Sequence, residues 1–271
     1  AITEDAIERL VAAGKTSLRY YAESRPVSSE VVATQRAVAF AEATGAPVYI
    51  VHLSSARALD VCAEAQSRNL RVYVETRPLY LHLTRKRFED KDGAKYVGAP
   101  PLREQHDVNA LWAGIRHGTV QTVCSDHAPW SLAAKLDPAH NIVNLRAGIA
   151  NLQTLLPMLY SEGVRSGRIT LGRFVEVTST NAAKLFGLYP RKGTIAVGSD
   201  ADLVIFDPNL TLTVDGSKQK SKSDYSPFDG WQVTGWPVIT LRRGEIVYCD
   251  GDIIGRPGSG KVVSRGATIS L

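Results

Sequence analysis

The spacing of apolar positions changes along this chain, and the changes divide it into elements. Residues 3–13 set Ala6 and Leu10 on one helical face with Ile2, and Gly14 stands where such a helix stops. Ser28 or Ser29 is placed to cap a longer helix that runs to about Thr44 and closes at Gly45. Pro47–Val51 is then a short unbroken apolar run, a buried strand that ends in His52. Ser55–Arg68 predicts a helix, and Leu70–Val74 a second strand that ends in Glu75 and Thr76. A connection through Gly98–Arg103 leads to the helix Glu104–His117 and a third strand, Val120–Cys124, just before Asp126. Strand–helix–strand–helix–strand is the alternation of a parallel α/β sheet.

Beyond Asp126 the pattern shifts. A loop over Ser131–Val143 precedes a predicted helix around Gly148–Glu162, followed by short helices at Leu171–Val177 and Asn181–Phe186. From Gly193 onward the chain reads as β-rich. Ala201–Pro208 is a strand closed by its proline, and Val238–Leu241 and Glu245–Tyr248 flank Arg242-Arg243-Gly244 as a hairpin. Gly193–Asp202 resembles a glycine-rich phosphate loop only superficially, because no helix follows it. These breaks divide the chain into residues 1–192, a β-rich part 193–255, and a Gly-, Ser- and Arg-containing tail 256–271.

Composition narrows the class. At 271 residues with 44% hydrophobic and 22% charged residues, the chain has the make-up of an ordinary globular protein. The net charge of +5 is mild, and Lys218–Lys222 is a solvated loop rather than a nucleic-acid patch. No apolar run approaches the ~20 residues of a membrane span, so neither nucleic acid nor membrane is an expected partner. Ala1–Asp5 has neither a basic n-region nor an apolar stretch, and nothing there suggests export. Cys62, Cys124 and Cys249 form no CxxC pair, which points to a reducing cytoplasm, with Cys124 in a small buried role.

The chemistry concentrates at strand ends. Asp126 directly follows an apolar strand, where a carboxylate costs several kcal/mol to desolvate unless a cation or hydrogen bonds offset it. A helix N-cap would not explain that strand. His52 ends the first strand in the same way. Side chains at the C-terminal ends of parallel strands are where (β/α) barrels place their catalytic groups. Alternation turns His127 away from Asp126 into a supporting part, and Glu75 reads as an internal partner. His82, His106, His117 and His140 fall on predicted helical or loop surfaces. Three strands cannot close a barrel of eight and would leave exposed edges. The chain is therefore either an open-sheet protein or the C-terminal part of something longer.

These residues resemble the cyclic amidohydrolases of the D-hydantoinase/dihydropyrimidinase branch. The likeness runs through Val48–Ser54 (VYIVHLS), Val74–Leu81 (VETRPLYL), Gly93–Arg103 (GAKYVGAPPLR), Val120–Pro129 (VQTVCSDHAP) and Ser161–Ile169 (SEGVRSGRI). It continues through Thr178–Pro208 and covers essentially the whole chain in order. The resemblance implies a TIM-barrel (β/α)8 fold, of which strands six to eight are here, with a small β-sandwich. It implies two divalent ions, usually zinc, bridged by a carboxylated lysine and a hydroxide. On this mapping His52 is a ligand of the more exposed metal. Asp126 is a ligand of the buried metal and the catalytic proton carrier. The family's HxH pair, its lysine and a further histidine have no counterpart here, so the chain corresponds to the C-terminal three-fifths of such a protein.

The implied reaction is metal-dependent opening of a hydantoin or dihydropyrimidine ring to an N-carbamoyl amino acid. Neutral imidazole and carboxylate suit zinc, and metals lower the pKa of a bridging water so that hydroxide attacks the amide. The alternatives are an allantoinase- or dihydroorotase-like hydrolase, and a non-catalytic scaffold of the collapsin response mediator type. Ala99 and Ala147 stand where the family holds the ring by backbone atoms, in place of its usual Ser and Asn. Arg77 and Leu79 replace the family's Cys and Gln/His. These departures bear on the ring accepted, not on the reaction class. The family also implies a homodimer or homotetramer.

Overall fold

A computed structural model describes residues 1–271, which fall into two compact units: residues 1–155 with 214–230, and residues 156–213 with 231–271. In the first unit, α1 (Ile2–Ala12) and the single turn α2 (Tyr21–Ser24) precede the long helix α3 (Val27–Thr44). The start of α3 lies before the expected serines. Pro26 is extended and sits at the N-cap, and the Ser29 hydroxyl donates back to its carbonyl at 2.8 Å. Gly45 closes the helix in the left-handed region at φ 69°.

The strands β1 (Val48–Ile50), β2 (Val72–Thr76) and β3 (Thr122–Val123) form a parallel sheet in the order β1-β2-β3, with Val48 opposite Val72 and Glu75 opposite Thr122. The helix α4 (Ala56–Ser67) connects the first pair; α5 (Pro78–His82) and α6 (Gln105–His117) lie between the second and third. This is the expected mixed α/β alternation, although β2 sits two residues later than its apolar run and β3 keeps only two residues of ladder. Val72, Val74, Ala58, Cys62, Leu111 and Ile115 pack the core between sheet and helices. The buried Asp107 carboxylate accepts from Ala56 N at 2.8 Å and Glu104 N at 3.0 Å, tying the starts of α4 and α6 together.

After the one-turn helix α7 (Leu132–Lys135), the expected helix at 148–162 is shorter. Ile149 instead pairs with His127 in an isolated bridge, and Ala128 N donates to Ile149 O at 3.1 Å. Helix geometry begins only at α8 (Leu155–Leu159) and passes into a π-helical turn, Tyr160–Arg165.

In the second unit, α9 (Leu171–Val175) and α10 (Asn181–Leu185) flank another π turn and precede a four-stranded antiparallel sheet. Its strands are β4 (Leu203–Thr213), β5 (Gln232–Arg242), β6 (Glu245–Cys249) and β7 (Asp252–Ile253). The β5–β6 hairpin is the predicted one. Pro208 does not end β4: the register shifts between Asp207 and Thr211, and Asp207 accepts from Asn209 N at 2.8 Å. Proline lacks the N–H a ladder needs, so the chain bulges around it and then resumes pairing. Tyr160, Phe174 and Phe206 form an aromatic cluster with centroids 4.8–6.2 Å apart. Gly235, at φ 100°, lies against Tyr160, and a Cβ there would overlap the ring. No helix is long and apolar enough to cross a membrane.

Candidate active site

The three parallel strands deliver His52, Arg77 and Asp126 to one edge of the sheet. His52 and Asp126 share a backbone feature that sequence does not display: both are left-handed, at φ 42°. Residues other than glycine rarely adopt positive φ, and such conformations cluster where function requires a particular orientation. His52 comes two residues after β1 and Asp126 three after β3, so in each case the chain turns shortly past the end of the strand.

Neighbouring groups hold the His52 turn in place. Glu75, buried on β2, accepts from His52 N at 3.2 Å and from the Tyr49 hydroxyl at 2.8 Å; that hydroxyl also lies 2.6 Å from Thr122 Oγ1. Burial, with the Glu75 carboxylate beside it, pushes the Tyr49 phenol well above its ordinary range. Glu75 thus ties β1 to β2, the internal role expected for it. Past His52, Ser54 donates its N–H and hydroxyl to Glu30 at 2.7 and 2.9 Å. The buried Arg103 guanidinium donates to Ser54 Oγ at 3.0 Å and Arg25 O at 2.7 Å. His52 and Ala99 line one cleft of about 590 Å³ with Tyr49, Glu30, Pro100 and Arg103.

Asp126 is half-exposed and carries an ion pair with Arg77, whose side chain is 2% exposed. The Arg77 guanidinium also donates to the Tyr80 hydroxyl and to Ala99 O, the latter at 3.1 Å, and it stacks over the Tyr80 ring at 4.7 Å. Its Nε is buried with no partner. Arg77 therefore links the aspartate to Ala99, the position expected from the sequence to hold the ring. The sequence marks Arg77 only as a departure from a motif, because its partner lies 49 residues away. Ala147 lies outside the cleft lining; its carbonyl accepts from Trp130 Nε1 at 3.0 Å.

Of the remaining histidines and thiols, His127, His82 and Cys124 are held within the framework. His127 Nδ1 accepts from Asn151 N and Leu152 N at 3.3 and 3.2 Å, and Nε2 lies 3.3 Å from Ser221 Oγ. Two N–H groups on Nδ1 require the neutral ring, and burial lowers its pKa in the same direction. His106 and His117 are exposed as expected. His82 departs from the surface assignment: it ends α5 facing α6, edge-on to Trp112 and Phe228 at 5.8 Å. Burial, then the hydrogen bond with Glu75, pushes the Cys124 thiol up to about 12, which leaves it no nucleophilic part at neutral pH.

A zinc centre is held by three or more protein donors. No group of three His, Cys, Asp or Glu side chains comes together here, and a buried guanidinium engages the Asp126 carboxylate. The residues of this chain by themselves do not fit a binuclear centre.

His52, Arg77 and Asp126 thus lie past the C-terminal ends of parallel strands, the place where (β/α) folds build their active sites. The amidohydrolase family model matches residues 7–247, and the chain belongs to that family. Within it the chain matches the hydantoinase branch. It is 41% identical over 263 residues to a D-hydantoinase of Ralstonia pickettii, covering 95% of this chain and 57% of that protein. A crystal structure of D-hydantoinase from Bacillus sp. AR9 superposes with a TM-score of 0.95 at 42% identity, over 100% of this chain and 59% of that one. A dihydropyrimidinase from Brevibacillus agri gives 0.94 at 40% identity, over 100% of this chain and 59% of that one. The chain spans somewhat more than half the length of these relatives.

Proposed function

We propose that the protein to which this chain belongs hydrolyses a cyclic amide of the hydantoin or dihydropyrimidine type to an N-carbamoyl amino acid. The carrying observation is that His52 and Asp126 leave the same edge of the parallel sheet in the same left-handed conformation. The names of its relatives support the substrate class. Asp126 is the catalytic group that takes and returns a proton at the scissile amide, and Arg77 holds its carboxylate in place. Ala99 and Ala147 orient the ring through their backbone atoms. In the complete protein His52 and Asp126 would be this chain's share of the donors to two divalent ions, expected as zinc with a carboxylated lysine among the remaining donors, and such ions would supply an activated water for attack on the amide.

On this reading residues 1–192 belong to a TIM barrel as about its sixth to eighth strands, residues 193–255 to a β-sandwich, and residues 256–271 to a tail. The parallel order of β1-β2-β3 and the antiparallel β4–β7 sheet support it. The reading further includes a cytoplasmic homodimer or homotetramer.

The test is ring opening by the complete protein and by the 271-residue chain, each assayed with a 5-substituted hydantoin, dihydrouracil, allantoin and dihydroorotate. The complete protein is expected to open the first two, and the chain alone to open none. Opening of only allantoin or dihydroorotate would move the assignment to those hydrolases. No turnover of any ring would favour a scaffold.

A further inference from the structure

Lys135, the last residue of α7, is 1% exposed, yet it carries a potential charge into the interior. Its Nζ donates to three main-chain carbonyls: Arg146 O at 2.6 Å, Val97 O at 2.7 Å and Gly148 O at 3.0 Å. An ammonium has three donors, so every one is matched. Burial pulls its pKa down to about 7. A methionine would fill the same volume without that desolvation cost, so packing alone does not call for a lysine.

The three acceptors belong to two segments far apart in sequence. Arg146 and Gly148 are the neighbours of Ala147 on either side, and Val97 lies two residues before Ala99. Gly148 N donates to Val97 O at 3.1 Å, so the two segments also touch directly. Gly148 holds φ 137°, with Ala128 O only 2.7 Å from where a Cβ would stand. The Tyr21 hydroxyl donates to Gly98 O at 3.0 Å. The two segments are thus fixed from several directions, and the Lys135 side chain bonds to both.

We propose that Lys135 is a positioning residue for the substrate ring: its ammonium joins the Val97–Ala99 and Arg146–Gly148 segments and sets the spacing of the backbone atoms that hold the cyclic amide. The proposal rests on the reading of Ala99 and Ala147 given above. Backbone atoms that hold the ring away from the reacting bond bind it alike before and during reaction, so a joint beneath them bears first on KM.

The experiment compares Lys135→Met, which removes all donors, and Lys135→Gln, which keeps two, in the complete protein. Hydrogen exchange of the free protein is followed by mass spectrometry, and KM and kcat are measured on whichever cyclic amide the wild type opens. In Lys135→Met, exchange is expected to accelerate in residues 97–99 and 146–149 while α6 is unchanged. KM should rise about tenfold with kcat within about threefold, the signature of lost uniform binding; Lys135→Gln should fall between. Unchanged exchange in both segments would overturn the proposal, as would faster exchange throughout with KM unaltered. If Lys135→Met does not fold, Lys135→Gln is judged by the same criteria at reduced size. A wild type that opens no cyclic amide would remove the functional reading, and exchange in the two segments would then decide the joint by itself.

Discussion

Replacing Asp126 with alanine in the complete protein should lower kcat for its cyclic amide by about 10³-fold, inside the 10²–10⁴ range that a positioned proton-transfer group contributes. The argument rests on place and partner. Asp126 follows β3 in a left-handed turn at φ 42°. It is also ion-paired with a guanidinium that is 2% exposed. Asparagine at the same position keeps the shape but cannot accept a proton as a base. Asp126→Asn should therefore lose nearly as much activity as Asp126→Ala while disturbing the fold less. Steady-state kinetics on both variants checks this. Near-normal turnover in Asp126→Asn would remove Asp126 from the reaction.

The second large effect concerns stability. Arg77→Met in the complete protein should destabilise it by about 2–4 kcal/mol, read from the denaturant midpoint with an unchanged slope. Breaking a buried pair by removing one partner costs about 3–5 kcal/mol. Asp126 is 46% exposed, however, and water can take over part of its solvation, which places the share lost with the ion pair itself below that range. The guanidinium also satisfies Ala99 O at 3.1 Å, and an unmet carbonyl adds about 1–3 kcal/mol if it stays dry. Arg77→Lys should recover little, because one ammonium cannot span Asp126, Tyr80 and Ala99 as the planar fork does. A shift under about 0.5 kcal/mol in Arg77→Met, the size of an ordinary surface substitution, would contradict this account of the site.

How far the sequence could be read depended on whether the deciding contacts were local. Pro47–Val51 and Val120–Cys124 are apolar and β-branched, so the first and third strands and their terminal His52 and Asp126 were visible as pattern. The β5–β6 hairpin was visible for the same reason, with Arg242-Arg243-Gly244 marking its turn. Pro208 misled because proline usually ends a strand, whereas here a bulge absorbs it between two stretches of pairing. His82 looked solvated because the rings it meets, Trp112 and Phe228, lie 30 and 146 positions further along. Arg77 and Lys135 were hidden more deeply. One sits in a polar motif and the other after two alanines, and their carbonyl and carboxylate partners come from segments that only the folded chain brings together.

The measurement that tests the central claim most directly is elemental metal analysis of the protein as isolated from its source, read with its intact mass. The account predicts two zinc ions per chain on a species much heavier than 29.4 kDa, in which His52 and Asp126 are joined by donors from outside these residues. A metal-free species of 29.4 kDa would contradict it and leave family membership as a statement of ancestry, without the hydrolase activity.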